Sequence, residues 1–262
     1  MNFILSFLLK SVALRKRVIL HLRNNYFDEF QHSIPLGNDF WAHLLEHDAY
    51  DSFSEIFIQQ EYANYLPNEP ISRILDIGAH YGYFSLWIQS KYPEREIHSL
   101  MIEPSPKCIR SLENLVNQPQ FKGRFAFLQK AVNAIDIEKT EFYDRSHMRA
   151  STLADSKNET SVEIETLKPD DVYKSSPPPY DLIKCDIEAS EWELINHYSR
   201  LLQDAQYLLL EWHSWHLGGG GFVQLSEKLT NIHFEIIQSS PPVKAVGKEG
   251  EVGLILAKNL NF

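Results

Sequence analysis

The chain is poor in cysteine, with two in 262 residues, Cys108 and Cys185, and no CxxC pair. That excludes a disulfide-stapled scaffold and a cysteine-rich zinc module, and a reducing compartment is the expected setting. Basic charge is also short. Lys and Arg number 25 against 35 Asp and Glu, a formal charge of −10. A chain without a basic excess is not expected to bind nucleic acid, because phosphate binding needs a basic face. Long apolar runs are missing too. The stretch Met1 to Leu9 is interrupted by Lys10, well short of the roughly 20 residues a spanning helix needs. Its basic residues follow the apolar run and no cleavage site is evident, so it does not read as a secretory signal. No internal repeat is visible.

What is present suits one globular domain or two. The 15 Phe, 12 Tyr and 5 Trp can fill a sizeable core. Charge is uneven. Lys10, Arg15, Lys16, Arg17 and Arg23 give the first 25 residues +5, leaving −15 for the remainder. Ile4, Leu5, Leu8, Leu9 and Val12 fall at helical spacing just before this cluster. Two readings stay open: a helix packed on its own domain or a partner, or a monotopic helix or dimer contact, with residues 1–25 touching anionic membrane. The expected location is cytoplasmic, with peripheral contact at the inner face of the membrane under the second reading.

Residues 38–66 read as mainly helical, with Trp41, Leu44, Phe53, Ile56, Tyr62 and Tyr65 on an irregular apolar face. Pro67 and Pro70 break the chain, dividing an N-terminal helical extension (1–66) from a second domain (67–262). There the pattern alternates. Short strands are expected at 71–77, 96–102, 124–132, 180–185 and 207–211, with helices at 83–91, 105–116 and 190–202 between them. Strands at 139–143 and 161–167 flank a polar loop, and a helix at 222–229 precedes closing strands at 232–237 and 252–257. Strands alternating with helices predict an open α/β sheet, whose ligands bind at the carboxyl ends of the strands.

Those ends carry the chemistry. The first reads Asp76-Ile77-Gly78-Ala79-His80-Tyr81-Gly82, an acid before a glycine-bracketed turn. A dinucleotide fingerprint would want glycine at 76 and 81, and no GK[ST] follows for a phosphate loop. An acid there suits a cationic or hydroxylated ligand. The second strand ends in Glu103, placed to accept from ribose hydroxyls. Lys184, Asp186 and Glu188 share parity at a later strand end.

LDIGAHYGYFS, then IEPSP, resembles the first two motifs of class I S-adenosylmethionine-dependent methyltransferases, and DLIKCDIEASE (181–191) is similar to a stretch of the FkbM family. The resemblance covers about residues 71–211. His80 and Ala189 depart from it, where the family has Asn and Gly. It implies a Rossmann-like α/β fold: a seven-stranded, mostly parallel sheet with helices on both faces and an antiparallel last hairpin. It implies S-adenosylmethionine as cofactor and methyl transfer to an oxygen of a saccharide, glycolipid or natural-product acceptor. Asp76, Gly78, His80, Gly82, Glu103 and Asp186 would bind the cofactor, with Lys130 and Ala131 near the adenine. Asp186, Lys184 and His213 are the catalytic candidates, His213 as a base titrating near neutral pH. His147 and Arg149 are candidates for a loop over the site, and His216 with the glycines at 218–221 for a lid. Asp186, Glu188, Glu211 and His213 come near adjacent strand ends, but their spacing forms no closed ligand motif, so no metal is expected. The alternatives are a nicotinamide-dependent oxidoreductase and a non-catalytic cofactor-binding module. A homodimer is a further expectation.

Overall fold

A computed structural model describes residues 11–27, 32–36, 39–143, 160–215, 221–244 and 250–262. Helix α1 (Val12–Tyr26) starts at Ser11, whose hydroxyl accepts from the Leu14 N–H. Strands β1 (His32–Pro35) and β2 (Trp41–Leu44) form an antiparallel hairpin. Helix α2 (His47–Phe53) runs into a π-helical turn, Ser54–Gln59, ended by Gln60 in the left-handed region, and a 3-10 turn follows at Ala63–Tyr65. The helical expectation for 38–66 thus fails at its start. Ala42 and Leu44 are buried while Trp41 is exposed, the period of a strand.

The alternating units then follow: β3 (Arg73–Ile77), α3 (Tyr83–Lys91), β4 (His98–Ile102), α4 (Pro106–Val116) and β5 (Phe125–Leu128). A small ribbon, β6 (Lys139–Phe142) with β7 (Val162–Glu165), stands apart. Next come α5 (Pro169–Ser175), β8 (Tyr180–Cys185), α6 (Glu191–His197), α7 (Ser199–Gln203) and β9 (Ala205–His213). The chain closes with α8 (Phe222–Asn231), β10 (Phe234–Ser239), β11 (Val243–Lys244) and β12 (Glu251–Asn259). The main sheet runs β10-β12-β9-β8-β3-β4-β5, with β11 on β12. All pairs from β9 to β5 are parallel, and β12 is antiparallel to both neighbours. This is the expected Rossmann-like α/β sheet with one reversed strand.

Alternation along the strands sorts side chains into two apolar layers. Ile74, Met101, Leu182 and Leu209 face one core, and Leu75, Leu100, Ile183 and Leu208 the other. The first core also takes in Ile19, Phe40, Tyr50 and Phe53, so the N-terminal segment is packed onto the sheet as part of one body. Arg23 makes a two-pronged ion pair with Asp51, at 2.5 and 2.6 Å, and Lys16 donates to Gln59. The described part of the basic segment therefore docks on its own domain. Residues 1–10 lie outside the described residues. No helix among the described residues is long and apolar enough to cross a membrane.

Candidate active site

The sheet order reverses direction of growth at β3, which pairs with β4 on one side and β8 on the other. A crevice opens outside the strand ends at such a point. Here it is a cavity of about 520 Å³, and Gly78, His80, Glu103, Lys184, Asp186 and His213 all line it. The turn after β3 is compact because Gly78 and Ala79 both donate to the Ile102 carbonyl, at 2.9 and 3.0 Å. Gly78 sits at φ +74, and a Cβ there would lie 1.7 Å from the Asp186 carbonyl oxygen. Only glycine fits, since it alone tolerates both the dihedral and the approach.

Glu103 is fixed from both sides. One carboxylate oxygen accepts from the His80 N–H at 2.7 Å and the other from the Ser105 N–H at 2.8 Å. Lys184 is buried, donates to the Gly78 carbonyl at 2.7 Å, and lies 3.7 Å from Asp76 and 3.9 Å from Asp186. Burial works against its charge, but the two carboxylates outweigh it and hold its pKa above the ordinary lysine value.

Two of the expected cofactor residues lie behind the wall. Asp76 is fully buried and absent from the cavity lining. Its carboxylate accepts from Ser85 at 2.8 Å and faces Lys184, so it supports the floor from below. Gly82 is likewise off the lining. A side chain there would run into Leu115 and Met101, so its task is to let the helices close on the sheet. Lys130 and Ala131 do reach the cavity, with Lys130 paired to Glu165. His147, Arg149 and His216 lie outside the described residues.

His213 is in place, but its expected role changes. Its Nδ1 is 3.1 Å from Glu191 Oε1, which also accepts from the Ile187 and Ala189 N–H groups. Burial alone would lower the imidazole pKa. Glu191, Asp186 and Glu211 overcome that and push it up to about 10. A proton held that tightly at neutral pH works against the role of general base.

The rest of the cavity comes from residues that the sequence did not mark. Glu55, Glu61 and Tyr62 form its opposite wall, all from the N-terminal segment. The Tyr62 hydroxyl reaches both Asp186, at 3.4 Å, and Glu211, at 3.3 Å. Burial first, then neighbouring carboxylates, pushes Glu55 up to about 8 and raises Glu61 and Glu211 as well. For Glu55 and Glu61 the only trace in the sequence is two glutamates in a mixed stretch that also holds Gln59 and Gln60. The π-helical turn that aims Glu55 has no local signature.

A family model described as "Methyltransferase FkbM domain" matches residues 76–239. Methyltransferase sdnD of Sordaria araneosa is 28% identical over 176 residues, covering 55% of this chain and 66% of that protein. The chain thus spans just under two thirds of that curated relative. Among solved structures, Methyltransferase FkbM from Methylobacillus flagellatus KT overlays with a TM-score of 0.47 and 14% identity, over 80% of this chain and 54% of that one. TrmK of M. capricolum, solved with S-adenosyl-homocysteine, gives 0.47 and 10%, over 78% and 68%.

Proposed function

We propose a function from one premise: the chain belongs to the FkbM methyltransferase family, whose model covers residues 76–239. On that premise it transfers the methyl group of S-adenosylmethionine to a hydroxyl oxygen of a saccharide, a glycolipid or a natural-product scaffold. S-adenosylmethionine, the cofactor of this family, supplies a methyl group made electrophilic by its sulfonium. Membership in a methyltransferase family leaves the nicotinamide reading without support.

The residues present suit such a ligand. His80 Nδ1 is buried and has no hydrogen-bond partner among the described residues. Gly78 presents bare backbone to the cavity, and the acids around it outnumber the bases. Glu103, already anchored by two N–H groups, would receive the ribose hydroxyls. Lys184 would act as a positioning residue, tying the Gly78 carbonyl to the Asp186 side of the cavity. Asp186 would orient the acceptor hydroxyl and, with Glu211 beside it, take its proton. His213, as an imidazolium, would offset part of the negative charge that the carboxylates gather there. Holding the acceptor in line accounts for most of the rate, and proton removal contributes about 10²–10⁴-fold.

The observation that carries this reading is the convergence of Gly78, Glu103 and Asp186, from three strand ends, on one cavity within the matched segment. Calorimetric titration with S-adenosylhomocysteine tests it, followed by transfer of labelled methyl to a panel of hydroxylated acceptors. Micromolar binding with label transfer supports the proposal. Binding without transfer to any acceptor favours the non-catalytic module, and no binding by the folded chain overturns both.

A further inference from the structure

One charged cluster of the cavity lies beyond the cofactor contacts proposed for Gly78 and Glu103. Ligand atoms of Asp186, Glu211 and His213 all lie within 4.8 Å of one another. They come from neighbouring parallel strands, Asp186 just past the end of β8 and the other two at the end of β9. Glu211 and His213 are two apart, hence on one face. Ligands held about 2.0–2.6 Å from a common ion stand roughly 3–5 Å from each other. The observed spacing is already in that range.

His213 is the independent observation. Its side chain is 3% exposed. Nδ1 is held by Glu191, and Glu191 is itself anchored by two backbone N–H groups. Among the described residues Nε2 makes no hydrogen bond; Glu211 Oε1 lies 3.9 Å from it. The second ring nitrogen of this buried side chain therefore faces Glu211, with Asp186 in the same cluster, while a third carboxylate fixes the ring from behind. That is the outer-shell arrangement of a metal-ligating histidine. The carboxylates have only weak partners in return. One Tyr62 hydroxyl, with a single proton, serves both at 3.3–3.4 Å, and Lys184 stays 3.9 Å from Asp186.

We propose that Asp186, Glu211 and His213 bind a divalent first-row cation, one imidazole nitrogen and two carboxylate oxygens suiting manganese or zinc over calcium. As the cation binds, the Nε2 proton of His213 passes to solvent, and the cation takes over from the imidazolium the offsetting of the carboxylate charge. Resting on the methyltransferase reading, the cation would hold the acceptor oxygen and lower the pKa of its hydroxyl, so that a carboxylate can remove the proton. The sequence expectation of no metal arose because the ligands are split between two strands. Only their parallel pairing closes the set.

The test is titration of the chelator-treated, desalted full chain with Mn(II), followed by loss of the free-ion electron paramagnetic resonance signal. S-adenosylhomocysteine is titrated into the same preparation. One saturable site is expected, weakened more than about tenfold in Glu211→Gln and in His213→Gln. Glu193→Gln, which removes a carboxylate outside the cavity, leaves it unchanged. Circular dichroism checks each variant, and Glu211→Gln decides if His213→Gln does not fold. Absence of saturable binding to millimolar Mn(II), or binding unmoved in Glu211→Gln, overturns the proposal. Homocysteine-ligand binding without Mn(II) binding sinks the metal site alone. Mn(II) binding without it keeps the site and sinks the cofactor reading.

Discussion

Gly78→Ala isolates the contact that brings β3 and β8 together at the cavity. The new Cβ would sit 1.7 Å from the Asp186 carbonyl oxygen and 2.8 Å from its carbon, where 3.0 Å is the closest real approach. The obstruction is backbone, so the strand end must move by about 1.3 Å. Two costs add. Holding alanine at φ +74 costs about 1–2 kcal/mol, and overpacking of this kind costs about 1–3 kcal/mol more. Gly123 provides the control, because its φ is +78 and a Cβ there meets nothing within 4 Å. Gly123→Ala should therefore show the first cost alone. Equilibrium urea unfolding of both variants measures the difference, expected at about 1–3 kcal/mol. The displaced segment carries Asp186, so Gly78→Ala should also bind S-adenosylhomocysteine at least about tenfold more weakly, a loss of about 1.4 kcal/mol. Gly123→Ala should bind like the parent. Equal destabilisation of the two variants, or full ligand affinity in Gly78→Ala, would refute the close approach as the reason for glycine.

Three further outcomes are expected. Glu103→Ala should weaken S-adenosylhomocysteine binding in calorimetry by at least about tenfold, since a charged hydrogen-bonding partner contributes about 1.5–3 kcal/mol; unaltered affinity removes Glu103 from the cofactor site. Glu55, pushed up to about 8 by burial and then by Glu61 and Asp186, keeps its proton when folded in a range where the unfolded chain has released it. Its contribution to stability is therefore lost as pH rises from about 4.5 to 8. Glu55→Gln should gain on the parent across that interval and level off above it, and parallel stability curves would count against the raised pKa. A double-mutant cycle of Arg23→Ala and Asp51→Ala should give a coupling of about 1 kcal/mol for a half-buried, two-pronged pair; zero coupling would mean that the pair does not hold α1 down.

The strand ends were legible because their information is local. Short strands with three or four apolar residues, then an acid or a glycine, mark β3, β4 and β8, and the structure brings Gly78, Glu103 and Asp186 together. What was not legible depends on partners far away in the chain. His213 reads as a free base until Glu191, on another element, comes within 3.1 Å. Asp76 reads as a cavity acid, but the alternation of β3 turns it toward Ser85 and Ser99, which bond to each other beneath the sheet. Trp41 and Leu44 sit three apart, as on a helix, and only pairing with residues 32–35 makes them a strand. The wall bearing Glu55 and Tyr62 depends on a π-helical turn, a rare geometry that tends to occur at functional sites.

That wall belongs to the N-terminal segment, and Tyr62 reaches from it to the two carboxylates at the strand ends. Docking of the segment and completion of the cavity are therefore one equilibrium. Any molecule that touches both sides adds its binding free energy to the docking. Proteolytic cleavage within residues 54–65 should become slower when the cavity is filled. Conversely, a protease that cuts within residues 54–65 would open the site while every motif residue from 76 to 213 remained intact.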